Sequence, residues 1–179
     1  WSSKGMRKGH DIMEQRVRES IMEATDNARL PVIVDASSCT AGFQEILESI
    51  GITVIDALSF TADTLLPRLE TTQPVESMTI HPTCSAFQLG MMGDVEKVAR
   101  AAATEVHIPT AWNCCGYAGD RGMLHPELTE SATRAEAAQV TELGAQYHAS
   151  TNRTCELGMT RATGEDYHHV LEMLERATR

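Results

Sequence analysis

Two adjacent cysteines, Cys114 and Cys115, lie in the short sequence TAWNCCGYAGDRG, together with Gly116, Gly119 and Gly122. Consecutive α-carbons force strained disulfide geometry, so this pair is poorly suited to a structural disulfide. Both thiolates can instead reach one metal centre, because the glycines let the backbone approach it closely. The pair therefore indicates a metal-binding loop, if further ligands lie nearby.

Three more cysteines occur in turns rich in serine and threonine: Cys39 in SSCT, Cys84 in PTCS and Cys155 in RTCE. Serine and threonine favour helix N-caps, and the dipole of the first helical turn stabilises a thiolate. Because the total of five cysteines is odd, a fully paired disulfide framework is excluded. We expect free thiols or metal ligands.

Each of these turns follows an apolar, strand-like run and precedes a helical pattern, in the segments 31–47, 77–106 and 145–163. A strand at 106–109 and a helix at 126–145 flank the cysteine pair. This order predicts an α/β fold with Rossmann-like lobes of parallel strands. The loops at the carboxyl ends of such strands share one edge, where ligands bind. We therefore expect all five cysteines to form a shared site.

Other segments are predicted to complete the fold around this edge. Amphipathic spacing indicates a helix over 5–28, an apolar run indicates a second strand over 51–60, and the pattern at the end of the chain indicates one helix over 164–179. The helix after Cys84 is expected to be interrupted near Gly93. His81, three residues before Cys84, is open to two interpretations: a site residue that binds the metal or donates a hydrogen bond to a cluster sulfur, or a satisfied histidine at the end of a strand. We favour the second and give His81 no chemical role.

The predicted domain organisation is an N-terminal helix or linker at 1–30 and a cysteine-rich domain at 31–179. That domain is expected to contain two pseudo-repeated lobes, about 31–75 and 76–179. The first residue is Trp1, which suggests a piece of a longer polypeptide.

Composition limits the possible functions. The 179 residues are 42% hydrophobic, enough to bury an ordinary core. The net charge of −10 and the absence of a basic run argue against nucleic-acid binding. No apolar stretch is long enough to cross a membrane, so we expect a cytoplasmic protein, with peripheral docking at the inner face of the membrane left open. No G-x-G-x-x-G follows a strand, which argues against a dinucleotide site.

Three kinds of thiol chemistry remain open. Structural zinc usually has CxxC pairs, and none occurs here, so zinc would need scattered ligands. Iron–sulfur clusters are held by cysteine thiolates and tuned by hydrogen bonds to sulfur, which turns rich in N–H groups can supply. Thiol–disulfide exchange involving Cys114 or Cys115 is the third alternative.

The sequences HPTCSAFQLG, NCCGYAGDRG and TNRTCELGM resemble the cysteine-rich CCG domain, in which a cysteine, CysCysGly and CxxC follow one another at long intervals. Here 29 residues separate Cys84 from Cys114, and 39 separate Cys115 from Cys155. The second cysteine of the family's CxxC is Gly158 in this chain. The resemblance covers about residues 31–175.

Domains of this type occur in heterodisulfide reductase, in the iron–sulfur component of glycolate oxidase, and at the carboxyl end of FAD-linked oxidases similar to D-lactate dehydrogenase. The resemblance is closest to the last group. It implies that Cys84, Cys114, Cys115 and Cys155, with Cys39 as a fifth ligand, hold a [4Fe–4S]-type cluster.

The same resemblance implies a parent oxidoreductase with FAD and ferredoxin-like domains upstream of this fragment. That parent would oxidise a 2-hydroxy acid and pass the electrons to a quinone or cytochrome. The isolated domain is not expected to be active alone. A zinc-held structural or docking module of the same parent is the alternative.

Overall fold

The computed structural model describes residues 4–179. The prediction for Trp1, and the first three residues of the predicted 1–30 segment, lie outside the described residues. The strands within residues 4–179 are β1 (Val32–Val34), β2 (Val54–Asp56), β3 (Val75–His81), β4 (Ala103–His107), β5 (Tyr147–Ser150) and β6 (Tyr167–His169).

The nine α-helices assigned within residues 4–179 are α1 (Arg7–Ala24), α2 (Ser37–Leu47), α3 (Ala57–Phe60), α4 (Cys84–Gln88), α5 (Met92–Ala102), α6 (Arg121–Leu124), α7 (Pro126–Leu143), α8 (Arg153–Thr163) and α9 (Val170–Ala177). Short 3₁₀ turns lie at Glu48–Ile50 and Leu66–Arg68, and a π-helical turn lies at Thr61–Leu65. No helix of the described chain is both long and apolar enough to cross a membrane.

All strand pairs are parallel. Strands β1 and β2 form a two-stranded sheet, and the other four form a second sheet in the order β4-β3-β5-β6. Helices flank these strands, which confirms the predicted Rossmann-like α/β class. Leu58 and Ala62 belong to the predicted first lobe but pack into the core of the larger sheet. The division into lobes at 31–75 and 76–179 therefore stays a prediction.

The larger sheet has a different environment on each face. On one face, Met78 and Ile80 of β3 pack with α5 and α9 in the main apolar core. The alternate residues, Thr79 and His81, are equally buried but point to the opposite face. That face contacts α7, because His81 hydrogen-bonds to Glu136 of that helix.

The smaller sheet has its own apolar cluster, formed by Val34, Leu47, Ile52 and Val54. Helix α1 packs against it through three apolar residues, Val17, Ile21 and Met22. The predicted amphipathic helix over 5–28 is therefore present, and its apolar side contributes to a core. Ile12, by contrast, is largely exposed.

In two segments a short strand is followed directly by a helix. The predicted strand over 51–60 is wrong beyond Asp56, whose carboxylate accepts hydrogen bonds from Leu58 N at 2.9 Å and Thr40 Oγ1 at 2.6 Å and so caps α3. The predicted closing helix over 164–179 is wrong in its first part. There β6 pairs with β5, and His169 caps α9 by accepting from Leu171 N.

The interruption predicted near Gly93 occurs earlier. Helix α4 ends at Gln88, Gly90 has a φ of 73°, and Gly93 lies in the first turn of α5. A left-handed backbone favours glycine, so Gly90 is the residue that permits the break. The strand predicted at 106–109 also starts earlier, since β4 begins at Ala103 directly after α5.

Candidate metal centre

The strand order creates a crevice at the carboxyl edge of the larger sheet. From β3 the chain crosses to β4 on one side and then to β5 on the other, so the connections diverge between β3 and β5. Ligands bind open α/β sheets at such a switch point. Cys84 is the first residue of α4, after β3, and Cys155 lies in the first turn of α8, after β5. These two cysteines therefore flank the crevice.

The paired cysteines reach the same edge through the loop that follows β4. Gly116 has a φ of 73°, and a Cβ there would lie 3.0 Å from the Leu128 carbonyl oxygen of α7. Only glycine allows this close approach in this conformation. The loop consequently packs on α7, with Cys115 buried and Cys114 exposed.

The structure brings two of the predicted ligands into contact. The Sγ atoms of Cys115 and Cys155 are 3.1 Å apart, and both side chains are buried. His81 completes a group of three, because one donor atom from each residue lies within 4.8 Å of the others. All five cysteines are free thiols.

The two buried thiols are joined by a hydrogen bond that shifts their pKa values in opposite directions. The Cys155 hydrogen bond, helped by His81 and the Tyr117 backbone N–H, lowers the pKa of Cys115 to about 5 although burial opposes the shift. The same hydrogen bond, together with burial, raises the pKa of Cys155. Cys115 is thus a thiolate at neutral pH, and a cation that binds both sulfurs would displace the remaining proton.

Cys84 and Cys114 lie at the exposed side of this group. Burial raises the pKa of Cys84, and the nearby charges of Cys114 and Cys115 add to the effect. The charges of Cys84 and Cys114 likewise contribute to the raised pKa of Cys155. Cys84 and Cys114 therefore lie near the buried pair, although the structure does not place their sulfurs within the group of three.

Cys39 approaches this edge through a set of hydrogen-bonded side chains at the starts of three helices. Ser37 Oγ of α2 lies 2.8 Å from Ser85 Oγ of α4, and Asn152, the N-cap of α8, donates to both serines at 3.0 Å. Cys39 itself is exposed on the first turn of α2. Like Cys84 and Cys114, it is not among the three residues whose donor atoms lie within 4.8 Å of each other.

A histidine and a glutamate at this site were not assigned by the sequence reasoning. His81 Nδ1 lies 2.8 Å from Glu136 Oε1, and both side chains are almost completely buried. Burial lowers the pKa of His81, but the Cys115 thiolate and the Glu136 carboxylate together raise it to about 9. Only the position of His81 three residues before Cys84 could have drawn attention to it.

The donor set fits a thiolate-bound metal. It combines soft sulfur ligands with an imidazole, the types that zinc and iron–sulfur centres use. His81 Nε2 is buried without a hydrogen-bond partner, and a nitrogen of this ring lies within 4.8 Å of both sulfurs. An orphaned polar atom of this kind is costly, and a bound cation would satisfy it.

Residues 78–160, which contain four of the cysteines and His81, match the family model of a cysteine-rich domain called CCG. No curated protein matches the chain. The match confirms the resemblance seen in the three cysteine motifs, and the CCG segment contains the Cys/His group described above.

The structure also explains the missing thiol of the CCG pattern. A Cβ at Gly158 would lie 3.2 Å from Tyr117 Cδ2 and 3.5 Å from Cys115 Cβ, so this position faces the site. Tyr117 is fully buried there, with Arg161 over its ring at 5.9 Å from the centroid. An aromatic ring consequently occupies the space into which a side chain at position 158 would project.

The alkylation rates of the five thiols should follow their solvent exposure. In metal-free protein, iodoacetamide is expected to modify Cys39, Cys84 and Cys114 at least about tenfold faster than Cys115 and Cys155, because thiol reactivity needs exposure as well as thiolate character. Peptide mass spectrometry over a time course measures the rates. Rapid modification of both buried thiols would contradict the geometry described here.

Proposed function

We propose that this CCG domain binds an iron–sulfur cluster and transfers electrons. The ligands in this proposal are Cys84, Cys114, Cys115 and Cys155, with Cys39 as a fifth. The observation that carries the proposal is the convergence of two buried and two exposed thiols at the carboxyl edge of one parallel sheet.

A bound cluster would supply one-electron transfer between the domain and its partners. The first turns of α4 and α8 present Cys84 and Cys155 near free backbone N–H groups, which favour the thiolate form and donate to sulfur. The buried side chains of Cys115 and Cys155 keep water away from one side of the centre. The exposed Cys84 and Cys114 leave the other side accessible to a redox partner.

We assign the domain to an FAD-linked 2-hydroxy-acid dehydrogenase of the D-lactate type. CCG domains are common in oxidoreductase subunits, which supports this class of enzyme. FAD and ferredoxin-like clusters would lie in an upstream part of the same cytoplasmic parent, and a quinone or cytochrome would accept the electrons at the inner face of the membrane. In this proposal the isolated domain has no turnover alone.

Zinc is the second candidate, and the spacing of the donor atoms of His81, Cys115 and Cys155 favours it. Zinc binds sulfur at about 2.3 Å and imidazole nitrogen at about 2.0 Å, so a single tetrahedral ion accommodates donors within 4.8 Å of each other. In that case the domain would be a metal-stabilised docking module of the same parent.

Metal and sulfide analysis distinguishes the two candidates. After expression with iron and purification without oxygen, we expect roughly four irons and four sulfides per chain and a broad absorption near about 400 nm. One zinc per chain without iron would overturn the electron-transfer proposal. Repeating the alkylation on loaded protein then tests Cys39, which must become protected along with Cys84 and Cys114 if it is a fifth ligand.

A further inference from the structure

His81 has two different environments at its two ring nitrogens. Nδ1 lies 2.8 Å from the Glu136 carboxylate, whereas Nε2 is buried without a hydrogen-bond partner. A nitrogen of the ring lies within 4.8 Å of both sulfurs, and Nε2 is the one left free to face them. The ring is completely buried at the last residue of β3, beside the crevice that Cys84 and Cys155 flank. One nitrogen is therefore held by a carboxylate, and the other is directed toward Cys115 and Cys155.

Glu136 is an unusual residue at its position. It lies in the middle of α7 with 1% of its side chain exposed, and its hydrogen bond to His81 is the one that the structure gives for its carboxylate. Burying a carboxylate is costly unless a strong partner compensates. The nearby hydroxyl of Tyr167 is buried without a hydrogen-bond partner, so it does not provide this compensation. The Glu136 carboxylate is therefore dedicated to His81.

A carboxylate bonded to the outer nitrogen of an imidazole is the usual support of a metal-ligating histidine. It fixes the tautomer with hydrogen on Nδ1, orients the ring, and makes the other nitrogen a better donor. A buried histidine with a purely structural role needs an acceptor for its N–H, but a neutral acceptor would serve without the cost of burying a carboxylate. The contacts of both nitrogens are thus explained together by a cation bound between His81, Cys115 and Cys155.

We propose that His81 Nε2 is a ligand of the metal centre and that Glu136 is its positioning residue. This inference rests on the proposed metal-binding function of the site. It changes the ligand set from thiolates alone to a mixed set in which one neutral nitrogen stands beside Cys115 and Cys155. In an iron–sulfur centre, replacing thiolate by imidazole raises the reduction potential.

The alternative role for His81 is a hydrogen bond from a charged imidazolium to the Cys115 thiolate, with no bond to metal. Both roles bury the ring and both keep Glu136 as partner, so loss of stability in a variant does not separate them. A nitrogen bonded directly to the metal does separate them, because it gives a large magnetic coupling or a short metal–nitrogen distance that a hydrogen bond does not produce.

The test uses the chain loaded with the metal that the stoichiometry analysis finds. For iron, pulsed electron paramagnetic resonance of the reduced protein, with and without ¹⁵N-histidine, should show one strongly coupled histidine nitrogen. For zinc, X-ray absorption should show one nitrogen at about 2.0 Å. The His81→Gln variant is expected to lose this signal.

The matched control is His148→Gln. His148 is a buried histidine on the adjacent strand β5, pairs in register with Thr79, and has Glu165 at 3.9 Å rather than a thiol. We expect its variant to keep the full nitrogen signal. Glu136→Gln should keep the signal with altered coupling or distance and weaken zinc binding by about ten- to a hundredfold.

The isotope measurement on the unmodified protein keeps the test valid if His81→Gln fails to fold. A metal-loaded protein without a directly bound histidine nitrogen would overturn the ligand assignment while leaving the metal-binding function intact. A signal that persists in folded His81→Gln would overturn it as well. Absence of both iron and zinc from the unmodified chain would overturn the proposed function together with this inference.

Discussion

Replacing Cys115 by serine is expected to lower the iron bound per chain by at least about tenfold. Cys115 Sγ is the central donor of the site, 3.1 Å from Cys155 Sγ and next to His81. Its pKa of about 5 makes it the thiol that is already ionised before metal arrives. A serine hydroxyl stays protonated at neutral pH and binds soft metals poorly. Iron and sulfide analysis with the visible spectrum measures the loss.

Met123→Ser is the matched control for this prediction. Met123 lies in α6, shortly after the cysteine pair, and 58% of its side chain is exposed. The substitution introduces the same residue near the loop without removing a thiol, so metal content should be unchanged. Far-ultraviolet circular dichroism of both variants checks the fold. A folded Cys115→Ser protein with the full iron content would show that the centre lies elsewhere.

Gly122→Ala is expected to destabilise the domain by about 3 kcal/mol or more, near the upper end of overpacking effects. A Cβ at Gly122 would lie 2.8 Å from the Cα and Cγ of Tyr117 and 2.8 Å from Thr129 Oγ1. Tyr117 is buried against Gly158, and its backbone cannot move without shifting the neighbouring Cys115. Urea unfolding of the metal-free protein measures the change in the free energy of unfolding.

Substitutions at two other glycines distinguish the effect of steric crowding from that of backbone strain. Gly119 has a φ of 73° in open space, so Gly119→Ala should cost only about 1 kcal/mol for the left-handed conformation. Gly93 lies in the first turn of α5 with no positive φ and no neighbour within 4 Å, so Gly93→Ala should be neutral or stabilising by up to about 1 kcal/mol. Equal losses at positions 119 and 122 would refute the crowding argument.

Tight packing at Gly116, Gly122 and Gly158 has a consequence for the metal centre. These glycines let the loop after β4, helix α7 and helix α8 approach one another around Tyr117. Cys115 and Cys155 lie on two of the approaching segments. Substitutions that separate the segments should therefore weaken metal binding even where they leave every thiol in place.

Much of the architecture follows from local sequence. Apolar runs such as that of β3, hydroxyl-rich turns and Pro126 at the start of α7 are short-range signals, and each acts within a few residues. They placed Cys39, Cys84 and Cys155 on first helical turns after strands, as the structure shows. The sheet edge as the place where the cysteines gather follows from that order, because all the strands run parallel.

The ends of helices and strands that depend on side-chain capping or strand pairing were harder to predict from the sequence. Asp56 and His169 each end a strand and cap the next helix with their own side chains, so no turn sequence marks the change. Strand β6 exists because β5 offers an edge to pair with, although its sequence continues smoothly into α9. Long-range partners therefore overruled the local helical pattern.

The sequence by itself determined the parallel α/β class, the CCG motif and the thiols available for a metal. Only the tertiary structure decided which donors meet. It joined Cys115 to Cys155 and left Cys39, Cys84 and Cys114 exposed outside the group of three donors. It also placed Glu136 of α7 against His81 of β3, 55 residues apart in the chain. These contacts depend on the strand order β4-β3-β5-β6, in which α7 lies over β3. The local sequence pattern of neither segment encodes that contact.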